Sequence, residues 1–143
     1  MKIAVSACLL GENCKYNGGN NYSYILEKIL EKHDVIPICP EVMGGLPTPR
    51  RPAEVVNGVV LTKDGSSVDA EFRKGAEIAL DLVKKSGAEL VVLQSRSPSC
   101  GVGTIYDGSF TGKLIEGDGI FVEELNKKGI KAIDVEEFIK ICQ

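Results

Sequence analysis

A chain of 143 residues, 43% hydrophobic and 26% charged, is long enough to bury a core and is composed like an ordinary soluble globular domain. Its net charge of −3 argues against a broad nucleic-acid surface, and no apolar run nears the roughly 20 residues a membrane span needs. The apolar start, Met1 to Cys8, is too short for a secretory leader, so the expected compartment is the reducing cytoplasm, where five cysteines serve metals, clusters or catalysis rather than disulfides.

In chain order, Ile3 to Ala7 reads as a buried strand that runs directly into Cys8. An Asn- and Gly-rich loop, Leu9 to Tyr22, carries Cys14, Lys15 and Tyr16. A helix is predicted over Ser23 to His33, with Tyr22, Ile25, Leu26, Ile29 and Leu30 as its apolar face. Val35 to Ile38 reads as a second buried strand that ends at Cys39. The stretch Cys39 to Pro52 then places a thiol, a carboxylate at Glu41, two glycines, four prolines and the Arg50-Arg51 pair in what reads as one rigid loop. Val55-Val56-Asn57-Gly58-Val59-Val60 is a hairpin signal. Ser66 or Ser67 is positioned to cap a long helix that ends at Ser86 before Gly87, with Gly75 inside it as a site of close packing. Leu90 to Gln94 is a third strand leading to Ser97-Pro98-Ser99-Cys100-Gly101, and Thr104 to Phe110 reads as a second small hairpin around Asp107-Gly108. A helix near Gly119 to Lys128, a strand over Ile130 to Ile133 and a helix from Val135 to Cys142 complete the chain.

Alternating strands and helices predict one α/β, Rossmann-like domain over residues 1–143, with a mainly parallel sheet, helices on both faces and small hairpin excursions. Ligands of such sheets bind beyond the carboxyl ends of the strands. If the strand order begins 2-1-3, Cys8, Cys39 and Cys100 arrive at one edge from three adjacent strands. Three thiolates suit an iron–sulfur cluster, a zinc ion or thiol redox chemistry, and a three-cysteine shell leaves one metal position open for Lewis-acid catalysis. Glu41, two residues from Cys39, is near enough to act as acid or base, and Ser97, three before Cys100, to relay a proton or orient a substrate; spacing alone assigns neither role.

Ser6-Ala7-Cys8-Leu9-Leu10-Gly11 with Tyr16-x-Gly18-Gly19, Cys39-Pro40-Glu41 with Gly44-Gly45-Leu46-Pro47-x-Pro49-Arg50, and Ser97-Pro98-Ser99-Cys100-Gly101 together resemble the thiouracil desulfidase family, over essentially the whole chain. The resemblance implies an oxygen-sensitive 4Fe–4S cluster held by Cys8, Cys39 and Cys100. It implies removal of sulfur from 2- or 4-thiouracil to give uracil and sulfide, with Glu41 as acid/base and Ser97 as the assisting serine. The open cluster iron then acts as a Lewis acid toward the soft thiocarbonyl sulfur, with no net electron transfer. A small thiolated pyrimidine is the expected partner rather than intact tRNA, given the acidic balance.

The competing reading is a non-enzymatic module with a structural zinc site of Cys8, Cys14, Cys39 and Cys100. A thiol oxidoreductase is disfavoured because no Cys-x-x-Cys pair exists. Arg50, Lys15 and Tyr16 are candidate substrate-pocket residues, with loop packing as the alternative for Tyr16. Arg51 is expected in a surface ion pair, Met43 as core filler, Cys142 as a small core residue, and His33 as a helix C-terminal cap.

Overall fold

The computed structural model describes residues 1–143. Strand β1 (Lys2–Ser6) runs into a 3-10 turn, Ala7–Leu10, and the two-turn helix α1 (Tyr24–Leu30) follows the Asn/Gly-rich loop. Strand β2 (Asp34–Ile38) leads at once into a one-turn helix, α2 (Pro40–Met43). Next come the hairpin of β3 (Ala53–Val56) and β4 (Val59–Thr62), the long helix α3 (Asp69–Ser86) and strand β5 (Leu90–Leu93). The hairpin of β6 (Thr104–Tyr106) and β7 (Leu114–Glu116), helix α4 (Ile120–Lys127), strand β8 (Ala132–Asp134) and helix α5 (Val135–Cys142) complete the order.

The main sheet is fully parallel in the order β2-β1-β5-β8, so the first three major strands are adjacent as expected. Residues 3 to 6 of β1 are all buried, as a central parallel strand requires. The two-residue period of the strands sorts their side chains onto two cores. Ala4, Val91 and Leu93 pack with Phe72, Ala76, Ala79 and Val83 of α3 and with Phe121 and Leu125 of α4. Ile3, Val5 and Val92 pack on the other face with Leu26 and Leu30 of α1 and with Val135 and Phe138 of α5. No helix is long and apolar enough to cross a membrane.

Several local expectations are corrected. Helix α1 ends at Leu30, and Tyr22 and Ile25 are 46% and 49% exposed, because two turns bring only Leu26 and Leu30 fully onto the sheet. Ser23 does cap it, its Oγ accepting the Leu26 N–H at 3.2 Å. His33 lies in the turn beyond the helix and binds no helix carbonyl through its ring; its Nδ1 is buried without a partner. The cap residue of α3 is Val68, although Ser67 Oγ accepts the Asp69 N–H at 3.3 Å. Asp107-Gly108 is not a two-residue turn: residues 107–113 form a loop anchored on β3, where Glu54 Oε1 accepts the N–H groups of Gly108 and Phe110 at 3.0 and 3.1 Å. Cys142 is exposed, because α5 has run past the sheet after Phe138 and Ile139. By contrast, Asn57 and Gly58, at φ 50° and 80°, make the tight turn of the first hairpin, and Gly87 at φ 75° stops α3.

Gly75 has the packing role its place inside a helix suggested. A Cβ there would lie 1.8 Å from the Pro40 carbonyl oxygen, and one on Gly44 would lie 2.0 Å from that of Glu71. The backbones of α2 and α3 therefore touch. In a loosely packed helix Gly75→Ala would add about 1 kcal/mol of stability. Here it is expected to cost about 3 kcal/mol, the upper range for overpacking, in a urea titration; a gain in stability would mean that α2 is free to retreat.

Candidate active site

Three strand ends build the site. The 3-10 turn after β1 carries Cys8; Cys39 is the N-cap of α2 directly after β2; Cys100 follows β5 in the 97–101 loop. That loop is clamped from behind by α4. The otherwise unpaired N–H groups at the start of α4 are taken up by its carbonyls, Ile120 N to Pro98 O at 2.8 Å and Phe121 N to Ser99 O at 3.1 Å, and Gly119 N binds Gly101 O at 2.8 Å. Gly101 is fixed by the same crowding: a Cβ would fall 2.7 Å from Ile105 and 2.8 Å from the Ser97 carbonyl oxygen.

All three thiols line one cavity of about 570 Å³, together with Cys14, Lys15, Tyr16, Glu41, Arg50 and Ser97. Every sequence-predicted site residue is thus gathered in one place. Cys8 and Cys39 are half-buried and Cys100 is buried. Burial pushes the Cys8 thiol up, against the pull of the Asn21 amide at 3.5 Å, and pushes Cys100 up to about 12. Cys39 goes the other way, down to about 7, chiefly because the Cys14 thiol donates a hydrogen bond to it, aided by the Val42 N–H of α2; the Cys14 thiol is raised in return. Thiolates at Cys8 and Cys100 are costly here without a positive charge beside them, and bound metal supplies such a charge.

The donor set therefore fits a thiolate-bound metal group. Nowhere in the molecule do three His, Cys, Asp or Glu side chains converge closely enough to share one metal ion.

Glu41 projects from α2 with its carboxylate held at both oxygens. Arg50 Nε donates to Oε1 at 3.0 Å and Ser99 Oγ to Oε2 at 2.7 Å. The Arg50 and Glu41 side chains are only 8% and 14% exposed, so this is a mostly desolvated pair rather than a surface bridge. Arg50 also donates to the carbonyls of Cys14 at 2.8 Å and Pro47 at 3.3 Å, and its own N–H reaches Tyr16 O at 2.7 Å. It thereby stitches the loop bearing Cys14, Lys15 and Tyr16 to the helix bearing Glu41. Ser97 Oγ accepts the Cys100 N–H at 2.7 Å and does not touch Glu41.

Lys15 lies 5.9 Å above the Tyr16 ring, and Tyr16 is 43% exposed at the cavity rim. Arg51 pairs with Asp64 on the surface, and Met43 packs against the core, as expected. The stretch from Cys39 is not loop throughout, since Pro40 at the first helical position starts α2. Ser99 and Asn21 are the site residues that sequence reasoning missed. Ser99 lay inside the quoted Ser97–Gly101 motif; nothing in the local pattern marked Asn21 as a thiol partner.

The profile described as 2-thiouracil desulfurase matches residues 3–137. The uncharacterized protein YbbK of Bacillus subtilis (strain 168) is 37% identical over 145 residues, covering 94% of this chain and 96% of its own. Among solved structures, the 4Fe–4S-dependent thiouracil desulfidase TudS is 42% identical, with a TM-score of 0.89 over 95% of this chain and 91% of that one. By profile, sequence and fold together, the chain belongs to the 2-thiouracil desulfurase family.

Proposed function

We propose that this chain, acting as one domain, hydrolyses a free thiolated pyrimidine, converting thiouracil and water to uracil and hydrogen sulfide, with a 4Fe–4S cluster held by Cys8, Cys39 and Cys100. The observation that carries this reading is the arrival of three thiols from adjacent parallel strands in one cavity beside an anchored carboxylate. The likeness to TudS, described as 4Fe–4S-dependent, supports the cofactor. When bound, the cluster supplies a Lewis-acidic iron with one position open to the thiocarbonyl sulfur.

The chain's own residues do the rest. Glu41 is the base that ends protonated when water adds at the thiocarbonyl carbon, and it gives a proton back as sulfur leaves. Arg50 holds Oε1 of that carboxylate, which keeps Oε2 on the Ser99 side. Ser97 fixes the Cys100 backbone and so the thiol that follows it. Lys15 and Tyr16 line the rim where the ring would enter. The carbon keeps its oxidation state and sulfur departs as sulfide, so no external electrons are needed.

The test is iron and acid-labile sulfide analysis of protein prepared without oxygen, followed by incubation with 2- and 4-thiouracil. About four irons and four sulfides per chain, with uracil and sulfide released in equal amounts, is the expected result. Tightly held zinc without iron, or a fully loaded protein that leaves both thiouracils unchanged, would overturn the proposal.

A further inference from the structure

Ser99 is 2% exposed and stands between two residues assigned roles in the reaction. Its Oγ lies 2.7 Å from Glu41 Oε2, 3.3 Å from Ser97 Oγ and 3.6 Å from Cys100 Sγ. A hydroxyl has one hydrogen. The shortest contact, to a carboxylate oxygen that only accepts, takes the hydrogen of Ser99. Between the two serines, Ser97 must then be the donor. Ser97 Oγ in turn accepts the Cys100 N–H at 2.7 Å, which leaves it one lone pair unused. The hydrogen bonds therefore run in one direction, Ser97 to Ser99 to Glu41. Arg50 closes the other side of the carboxylate and cannot release a proton into it.

We propose that Ser99 is a positioning residue through which Ser97 acts on Glu41: its buried hydroxyl fixes the Glu41 carboxylate and passes a proton from Ser97 to Oε2. This rests on the desulfidase reading above. As water adds to the thiocarbonyl carbon, one water O–H bond breaks and its proton goes to the free lone pair of Ser97. Ser97 gives its own proton to Ser99, and Ser99 gives its own to Glu41. Each serine ends with one proton, as it began, and one O–H bond has formed on Glu41. The reverse passage delivers that proton to the departing sulfur, and the second water proton, left on the new C–O–H, goes to the released hydrosulfide as the carbonyl forms, giving uracil and hydrogen sulfide. Ser97 thus acts on Glu41 without touching it, which accounts for the absence of a direct contact between them.

Ser99→Ala removes one oxygen from a packed site and is expected to fold. Two readouts separate positioning from mere packing. In the loaded enzyme, Ser99→Ala is expected to lower kcat about 30-fold, less than the roughly 100- to 10,000-fold that a whole acid/base group supplies, with KM and iron content unchanged. The Ser97→Ala/Ser99→Ala double variant should be no slower than the slower single variant, because two links of one relay do not add. In cluster-free protein, the Glu41 carboxylate stretch, isolated by infrared difference against Glu41→Gln, should shift in Ser99→Ala. A wild-type kcat, additive single effects, an activity loss matched by iron loss, or an unshifted band would each overturn the assignment. A wild-type enzyme that ignores thiouracils refutes the desulfidase reading instead, while the infrared band still decides whether Ser99 holds Glu41.

Discussion

Replacing Cys39 with Ala is expected to leave the protein folded but without bound iron and with thiouracil turnover at background. Cys39 caps the N-terminus of α2, where neither its backbone bonds nor the Pro40 turn depends on the thiol. The lost group is the thiol already drawn toward the thiolate, at about 7, by Cys14 and the Val42 N–H of α2. Cys8→Ala and Cys100→Ala should behave alike, since each removes one of three donors that adjacent strands deliver to the cavity. Cys14→Ala is the informative contrast. Cys14 sits on an exposed loop tied down through its backbone carbonyl, which accepts from Arg50 at 2.8 Å and is retained in alanine. Its iron content should therefore match wild type in anaerobic preparations assayed for iron and sulfide together. If Cys14→Ala loses metal as severely as Cys39→Ala, the ligand set has four cysteines and the open position disappears.

The layout of this site was legible because it depends on topology more than on local detail. Once Ile3, Val35 and Leu90 are seen to start strands of one parallel sheet, the three following cysteines share an edge in any 2-1-3 order, and β2-β1-β5 is that order; β2 is not the buried strand expected, because at the edge of the sheet it buries only Ile38. Less legible was whatever depended on tertiary contact. The five apolar residues around α1 are helically spaced, yet only the part of that face that meets the sheet and α5 is buried. Asp107-Gly108 has turn chemistry, but Gly108 lies against β3, where a Cβ would meet the Val55 carbonyl oxygen at 2.7 Å, so the chain continues to Leu114 before it pairs. Ser99 was overlooked for a related reason. Its partner, Glu41, is 58 residues away at the start of α2, and the contact depends on the 97–101 loop that the start of α4 holds in place.

Glu41→Gln is expected to lower kcat by about 100- to 10,000-fold, which corresponds to about 3–5.5 kcal/mol of lost transition-state stabilisation, with iron content and KM near wild type. The amide keeps an acceptor for Arg50 Nε and places its NH₂ toward Ser99 Oγ, so the positions of Arg50, Ser99 and the Cys14 loop are preserved. It cannot take up a proton, and its NH₂ reverses the hydrogen bond with Ser99, which then accepts instead of donating. Glu41→Ala is a different experiment. It strands the Arg50 guanidinium, whose side chain is 8% exposed, without its carboxylate. Breaking a buried pair on one side costs about 3–5 kcal/mol of stability, and Arg50 is also the stitch that holds Cys14 and Tyr16 over the cavity. The alanine variant should therefore lose stability as well as turnover, seen as a lower urea midpoint. Comparing the two separates chemistry from architecture. Equal stability losses in Gln and Ala would make the pair structural, and a glutamine variant with normal kcat would remove Glu41 from the proton transfer altogether.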